Sequence, residues 1–379
     1  MSASPPQAAQ VIVAEDLETL APHLDAWDAL AVARSRPFCA PAWMLAWWSQ
    51  ARTGDARLRV VVVSDEHGMV GVGPFFAQVG PLGLVEMRLL GAGFCHRIGP
   101  LARPGQEAPV AAAMAEALAT MQPRPASVVF EGMDCDDPWP ELIAAAWPGR
   151  RPPRLRTDAT TDAPAIDLGG AYEEWMERRG RKFRKEARRT ARRLEEEQVR
   201  GEISVSVEAI EALLRLNHAR WEGRGGSHVG DAASRVIAEA AGDLAQDRLM
   251  VALLRGPSGP VAAELVLVAG TTAAFWGGGF DPEWASYAPG TQAMLVALRH
   301  LAEQDVQTAD LGGGEHEYKR RLADGNSPIV WRTLFPRGVR YPLLRARLAP
   351  KHLGHALRKM ARRLPAGWRG RLKRLADRA

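Results

Sequence analysis

Twice along this chain, apolar β-branched runs closed by tight turns are followed by a helix and then a further strand. In the first half the runs Leu58–Ser64 and Met69–Val79 flank the turn Asp65-Glu66-His67-Gly68. An alanine-rich helix over Val110–Met121 and a strand over Ala126–Glu131 come next. In the second half three runs, Leu249–Arg255, Val261–Ala269 and Thr271–Gly279, precede a helix opened at Pro289-Gly290 and a strand over Thr308–Leu311. Hairpins point to antiparallel pairing, and a helix between strands points to a parallel crossover. The expected fold class is therefore α/β (α+β mixed sheets), built from two similar units. At 379 residues the chain is long enough for each unit to bury a core of its own.

The remaining stretches fill in around this repeat. Residues 1–10 read as a disordered tail, and Val11–Ala33 carries helical signals. Pro41 opens a helix that places Trp43 and Trp47 on one face. Proline-rich sequence from Pro148 to Pro164 reads as a crossing between units. Beyond it, Tyr172–Glu197 predicts one long helix, Glu208–Trp221 and Asp231–Gln246 two more, Glu315–Leu322 another, and Ile329–Phe335 a closing strand. The expected division is a first unit over 11–165, a second over 166–345 and a basic amphipathic helical tail over 346–379.

Charge is unevenly spread. Between Arg178 and Arg193 ten Lys/Arg face one acid, and from Arg345 to the end twelve face one, so the rest of the chain is acidic although the net charge is +5. This argues against a general nucleic-acid coat and for local sites that take anionic groups. Phe183, Ala187, Ala191 and Leu194 form an apolar stripe on the first basic segment, beside a row of Arg181, Lys185, Arg188 and Arg192. The leucines and arginines of 346–379 suit contact with an anionic membrane surface. No run of 18 apolar residues occurs. The three scattered cysteines and nine histidines show no metal-ligand spacing, so no metal is expected and a reduced cytoplasm is the expected location, with the inner membrane face as a peripheral one.

Five segments, in order, resemble a known family. They are RPFCAPAWMLAWW from Arg36, the hairpin VVVVSDEHGMVGVGPFF, the basic helix KFRKEARRTARRLEE from Lys182, GGGFDPEWASYAPGTQAMLVAL from Gly277, and ADLGGGEHEYKRRLA from Ala309. Together they are similar to the CelD-like, FemAB-related branch of the GNAT N-acyltransferases. The resemblance implies tandem GNAT-like (acyl-CoA N-acyltransferase) units with a long basic helix between them. It also implies acyl transfer to an amine or hydroxyl, with acetyl-CoA or another acyl-CoA as co-substrate. The implied acceptor is a small or lipid-linked molecule, such as a surface-polysaccharide or cell-envelope precursor. Two positions depart from the family pattern. The Gln/Arg-x-x-Gly-x-Gly/Ala phosphate loop is absent before Pro289, and Ala288 stands where the family has serine. An aminoacyl-tRNA donor, as in FemAB-like transferases, and a non-catalytic interaction protein that keeps the fold therefore remain alternatives. Apart from that tRNA, nucleic acid is not an expected partner.

The residues nominate sites of their own. A helix beginning at Pro289, with Gly290, Thr291 and Gln292 in its first turn, offers unpaired amides and a positive dipole end to a pyrophosphate. The segment Asp310 to Lys319 frees its backbone with three glycines and then presents Glu315, His316, Tyr318 and Lys319. Glu315 or His316 is a candidate base, and Lys319 is a candidate partner for phosphate or oxyanion charge. Trp276, Asp281, Tyr318, Arg181, Lys185 and Arg188 are the candidate acceptor contacts.

Overall fold

A computed structural model describes residues 9–80, 83–221, 231–244, 248–314 and 316–337. Among them the strands in chain order are β1 (Gln10–Ala14), β2 (Arg57–Asp65), β3 (Gly68–Val79), β4 (Val85–Leu89), β5 (Leu101–Ala102), β6 (Ser127–Asp134), β7 (Arg154–Thr161), β8 (Pro164–Asp167), β9 (Arg200–Ser204), β10 (Leu249–Gly256), β11 (Gly259–Ala269), β12 (Thr272–Phe280), β13 (Thr308–Asp310), β14 (Gly325–Asn326) and β15 (Ile329–Phe335). The α-helices are α1 (Leu17–Leu20), α2 (Leu24–Ala33), α3 (Pro41–Ala51), α4 (Glu107–Thr120), α5 (Trp139–Ala146), α6 (Tyr172–Arg178), α7 (Arg181–Glu196), α8 (Val207–Trp221), α9 (Asp231–Asp243), α10 (Pro289–Ala302) and α11 (Glu317–Leu322).

The strands form two mixed sheets of the same design. The first runs β1-β2-β3-β4-β6-β15-β7, with β5 also paired to β3, and the second runs β14-β8-β13-β12-β11-β10-β9. Each contains one parallel pair, β4 with β6 in the first and β12 with β13 in the second, and every other pair is antiparallel. A helix crosses over within each parallel connection, α4 in the first sheet and α10 in the second, as parallel neighbours require.

Several elements differ from the sequence expectation. Val11–Ala14 is strand, not helix: its β-branched residues zip onto the edge of the first sheet, Val13 opposite Val61. The proline-rich crossing contains β7, which pairs with β15. The single long helix is two, because Arg179 is extended and Gly180 caps the start of α7. The strand at 329–335 is present, and it closes the first sheet between β6 and β7 rather than the second. The tail over 346–379 and its proposed membrane contact lie outside the described residues.

The two halves share apolar packing. Along β10, Leu249, Val251 and Leu253 point into the cluster that also holds Trp43 and Val61 of the first half, while Met250 and Ala252 point into the second half's own cluster. Helices α8 and α9 lie in the shared layer. Gln50 of α3 donates to Glu239 of α9 at 2.6 Å, and Asn217 of α8 donates to the Gly278 carbonyl of β12 at 2.9 Å. The apolar stripe expected on α7 is seated as the spacing requires: Phe183, Ala187 and Leu194 are buried, while Arg181, Lys185, Arg188 and Arg192 face solvent.

Candidate functional site

The parallel pair of the second sheet opens where it should continue. β12 and β13 are paired only from Thr272 with Thr308 to Ala274 with Asp310, yet β12 runs on to Phe280. At the point of divergence β12 carries a bulge: Phe275 stands opposite Val266 and Gly277 opposite Leu265, leaving Trp276 as the extra residue. Three glycines follow, and two of them are demanded by packing. A Cβ on Gly278 would overlap the Glu264 carboxylate, and one on Gly279 would overlap the α8 backbone at Leu216 and Asn217. A Cβ on Gly277 would meet nothing within 4 Å. Gly277 therefore leaves open space beside a strand whose neighbour has ended.

The other lip of this opening is the loop Leu311–Gly314, in which Gly312 (φ 72°) and Gly314 (φ 114°) adopt left-handed backbone. Lys319 of α11, buried at 8% exposure, reaches back to it. Its Nζ donates to the Gly313 carbonyl at 3.0 Å and the Gly312 carbonyl at 3.3 Å. The ammonium thus holds the glycine loop in shape. His316 is exposed and stacks on Tyr318, with ring centroids 5.8 Å apart. Glu315 lies outside the described residues.

The first half supplies the facing wall. Its parallel pair is shorter still, Glu86 with Ser127 and Met87 with Val128. The loop after β4 folds back across the gap, where the Arg97 amide donates to the Gly132 carbonyl of β6 at 2.5 Å. Phe94 on this loop packs on Trp276, centroids 5.0 Å apart, and accepts the Trp276 indole N–H at its carbonyl at 3.0 Å. Arg97, itself left-handed at φ 56°, joins the halves: its Nε lies 2.8 Å from Asp310 Oδ2, and its guanidinium also contacts Asp134 and the Ser327 carbonyl. Arg36 completes the network by pairing with Asp134 and, at 3.0 Å, Asp137. Burial holds the Asp137 carboxyl above its ordinary value, with Arg36 opposing. Next in sequence to Arg97, His96 is half-buried against Trp331 (centroids 5.6 Å apart). Its Nε2 lies 3.6 Å from where a Cβ on Gly313 would stand. Burial pushes its imidazole below the ordinary value of 6.5. Lys319 and Arg97 push the same way and Asp310 opposes, so the ring is neutral at pH 7.

Residues 181–320 match the family model for the acetyltransferase (GNAT) domain. Among solved structures the chain is similar to FemX at 11% identity, over 86% of this chain and 98% of that one, with a TM-score of 0.63. It is also similar to the C-terminal domain of a putative lysylphosphatidylglycerol synthetase from Agrobacterium fabrum (12% identity, 86% and 96% covered, TM-score 0.54). A conserved protein of unknown function from Bacteroides thetaiotaomicron is likewise similar (13% identity, 86% and 100% covered, TM-score 0.55). No curated protein sequence matches the chain. The architecture is a tandem GNAT-like fold. Each GNAT-like unit contributes one sheet with one splayed parallel pair, and the splay of the first is filled by its own loop 91–98 while that of the second faces this loop.

The tandem GNAT-like frame sorts the residues nominated from sequence into two neighbourhoods. Trp276 and Lys319 edge the opening between the units, and His316, stacked on Tyr318, stands beside Gly314 of the glycine loop. The first turn of α10 stands beside the end of β12, where a Cβ on Gly290 would lie 3.6 Å from the Phe280 ring. Ala288 before it is left-handed (φ 44°) with no side-chain cap, Pro289 is buried, and Gly290 and Thr291 are half-exposed. Gln292 is buried and donates to the Ala187 carbonyl of α7 at 3.2 Å, so the basic helix is docked beside this turn. Arg193 lies over Tyr287, and Tyr287 donates to Glu197 at 3.0 Å. Asp281 has a local task, accepting the Glu283 amide to start the 3-10 turn Pro282–Tyr287. A groove of about 620 Å³ between α7 and α10 has an apolar floor that includes Ala187, Leu194 and Leu295, with Arg188 and Arg299 at its edge. Arg181 and Lys185 stand exposed on α7, and neither they nor Trp276 and Lys319 line this groove. Among the described residues no group of three or more His, Cys, Asp or Glu side chains could hold a metal ion.

Sequence reading missed His96, Arg97 and Phe94. The signal available was a polar His-Arg pair inside the apolar, glycine-rich stretch Gly91–Leu101, which a buried hairpin continuation does not need.

Proposed function

We propose that this chain is an acyltransferase that moves an acyl group from a thioester or ester donor to an amine or hydroxyl acceptor in the cleft between its two units. The observation that carries this reading is the open end of the β12–β13 pair, edged by Gly277 and the Lys319-braced glycine loop and walled by the other unit. Such a gap exposes strand amides that can take an acyl carbonyl, while the far wall brings the acceptor. The finer assignment is CelD-like and FemAB-related. Acetyl-CoA or another acyl-CoA is the donor, its pyrophosphate over Pro289, Gly290, Thr291 and Gln292, where an uncapped helix start and a docked basic helix favour anions. In this reading Trp276, Asp281 and Tyr318 contact the acceptor, Arg181, Lys185 and Arg188 its anionic portion, and Glu315 or His316 with Lys319 the reacting groups. The acceptor is a polysaccharide or cell-envelope precursor, and segment 346–379 touches an anionic membrane at the inner face. Among the described residues no helix is long and apolar enough to cross a membrane.

A second reading, an aminoacyl-tRNA donor, is supported by the exposed basic row of α7 and by the fold shared with FemX. Titration calorimetry with acetyl-CoA, beside filter binding with aminoacyl-tRNA, separates the readings. Acetyl-CoA binding that weakens with salt and in Thr291→Glu, which places a carboxylate in the first turn of α10, supports the first, and tRNA binding alone supports the second. If neither donor binds, the chain keeps the fold without the transferase activity.

A further inference from the structure

The rim of the cleft carries an imidazole that no motif announced. We propose that His96, contributed by the first unit, and not Glu315 or His316, is the general base for a transfer carried out on the second unit, taking its proton from the acceptor at the glycine loop. This deepens the acyl-transfer reading and rests on it.

Three observations carry the assignment. The first is position. His96 is the side chain of loop 91–98 whose Nε2 faces Gly313, and Gly313 lies in the loop that Lys319 braces. Its Nδ1 side is closed by β6, where a Cβ on Gly132 would stand 2.7 Å away, so Nε2 is the nitrogen turned to the glycine loop, beside Ile329 and Thr161, which also approach Gly313. The second is fixation. The ring is edge-on to Trp331 of β15, the loop is tied to β6 through Arg97, and it is tied to β12 through the Trp276 N–H. Arg97 is left-handed although it is not glycine, a conformation retained only where surrounding contacts enforce it. The third is protonation state. The charged groups facing the imidazole are Asp310 of β13, Lys319 of α11 and Arg97 of its own loop. Burial and the two cations outweigh the one carboxylate, and the ring keeps a free lone pair at neutral pH.

The chemistry balances without a further reagent. The acceptor nitrogen or oxygen forms a bond to the donor carbonyl carbon, and its proton passes to His96 Nε2. The carbon–sulfur or carbon–oxygen bond to the leaving group then breaks, with the electron pair going to the leaving atom. The imidazolium returns its proton to that thiolate or alkoxide, and neutral His96 is restored.

The test uses the full chain and two readouts. With acetyl-CoA as donor and glucosamine as probe acceptor, thiol release is followed from about pH 5 to 9 in the wild type, His96→Gln and His96→Asn. The proposal expects a loss of about a hundredfold or more in kcat/KM in both variants, together with loss of the acidic limb of the profile, while their melting stays near the wild type. Rates within twofold of the wild type with an unchanged profile would overturn it. Independently of activity, the His96 ring signal in a carbon–proton NMR titration, assigned by its disappearance in His96→Gln, should report a neutral ring at pH 7. A ring that is charged there also overturns the proposal. If the wild type turns over neither acetyl-CoA nor aminoacyl-tRNA, while the ring titrates as expected, it is the acyl-transfer reading that fails, and His96 loses its assigned role with it.

Discussion

Replacing Arg97 by methionine tests how the two units are held together, and the structure sets the size of the effect. Arg97 gives Asp310 two contacts, at 2.8 and 3.2 Å, and gives Ser327 two more, at 2.9 Å to its carbonyl and 3.3 Å to its hydroxyl. The Asp310 side chain is 5% exposed and that of Arg97 13%, so neither charge is well hydrated. In Arg97→Met, Asp134 keeps Arg36 as its partner, but Asp310 is left with the Gly312 amide, at 3.1 Å, as a donor. Removing one member of a buried pair costs about 3–5 kcal/mol, most of it the stranded charge. The surviving amide bond places the expected loss near the lower end, about 3 kcal/mol. Because the strain lies in the stranded carboxylate, Arg97→Met/Asp310→Asn should recover most of it, since asparagine still accepts from Gly312 and carries no charge. Urea unfolding followed by tryptophan fluorescence gives both values, as a double-mutant cycle with Asp310→Asn alone. An Arg97→Met variant within about 0.5 kcal/mol of the wild type, or a double variant no more stable than the single one, would refute the argument that this buried pair clamps the units.

Three further outcomes follow from the same geometry. His96 is held below 6.5 in the folded chain, so on acidification the unfolded chain binds a proton before the folded one does. Its contribution to stability is present above pH 6.5 and lost as pH falls through the lower folded value, and denaturation midpoints measured from about pH 5 to 7 should rise less steeply in His96→Gln than in the wild type. Gly279→Ala pushes a methyl into the α8 backbone and should lower stability by at least the 1–3 kcal/mol typical of overpacking, whereas Gly277→Ala, with nothing within 4 Å, should melt like the wild type yet impair transfer; equal melting of the two would remove the distinction drawn between packing and cleft glycines. Lys319→Met deprives two loop carbonyls of their donor and should lower stability by about 1–3 kcal/mol with faster hydrogen exchange at Gly312–Gly314, and unchanged exchange there would show that the lysine does not brace the loop.

Local chemistry carried most of the fold into the sequence. The β2–β3 hairpin, the run of β10 to β12, the Pro289 start of α10 and the buried stripe of α7 were all legible, because turn residues and periodicity act within a dozen residues. The misreadings share a different cause. Val11–Ala14 is strand because Val60–Ser64 waits for it, and β15 joins the first sheet because β6 and β7 leave a slot far upstream in the chain, with Asp134 and Thr161 both opposite Ile329. No local pattern reports a distant edge. The Arg179-Gly180 break was visible as a glycine, but helix-forming sequence on both sides masked it.

The same division governs the site. Gly290, Trp276 and Lys319 could be nominated because each sits in a motif of its own unit. His96 could not, since what makes it noteworthy is Gly313, more than two hundred positions away, and the neutral state imposed by burial between two units. In a tandem fold whose splayed strands open toward the other copy, groups from both units meet at the cleft. One unit's sequence can then show where a donor would lie. It cannot show what faces it, because that residue belongs to the other repeat and is under no requirement to resemble its counterpart. The structural asymmetry follows from this: the first unit's splay is closed by its own loop 91–98, and the same loop forms the wall of the second. Filling one opening is what furnishes the other.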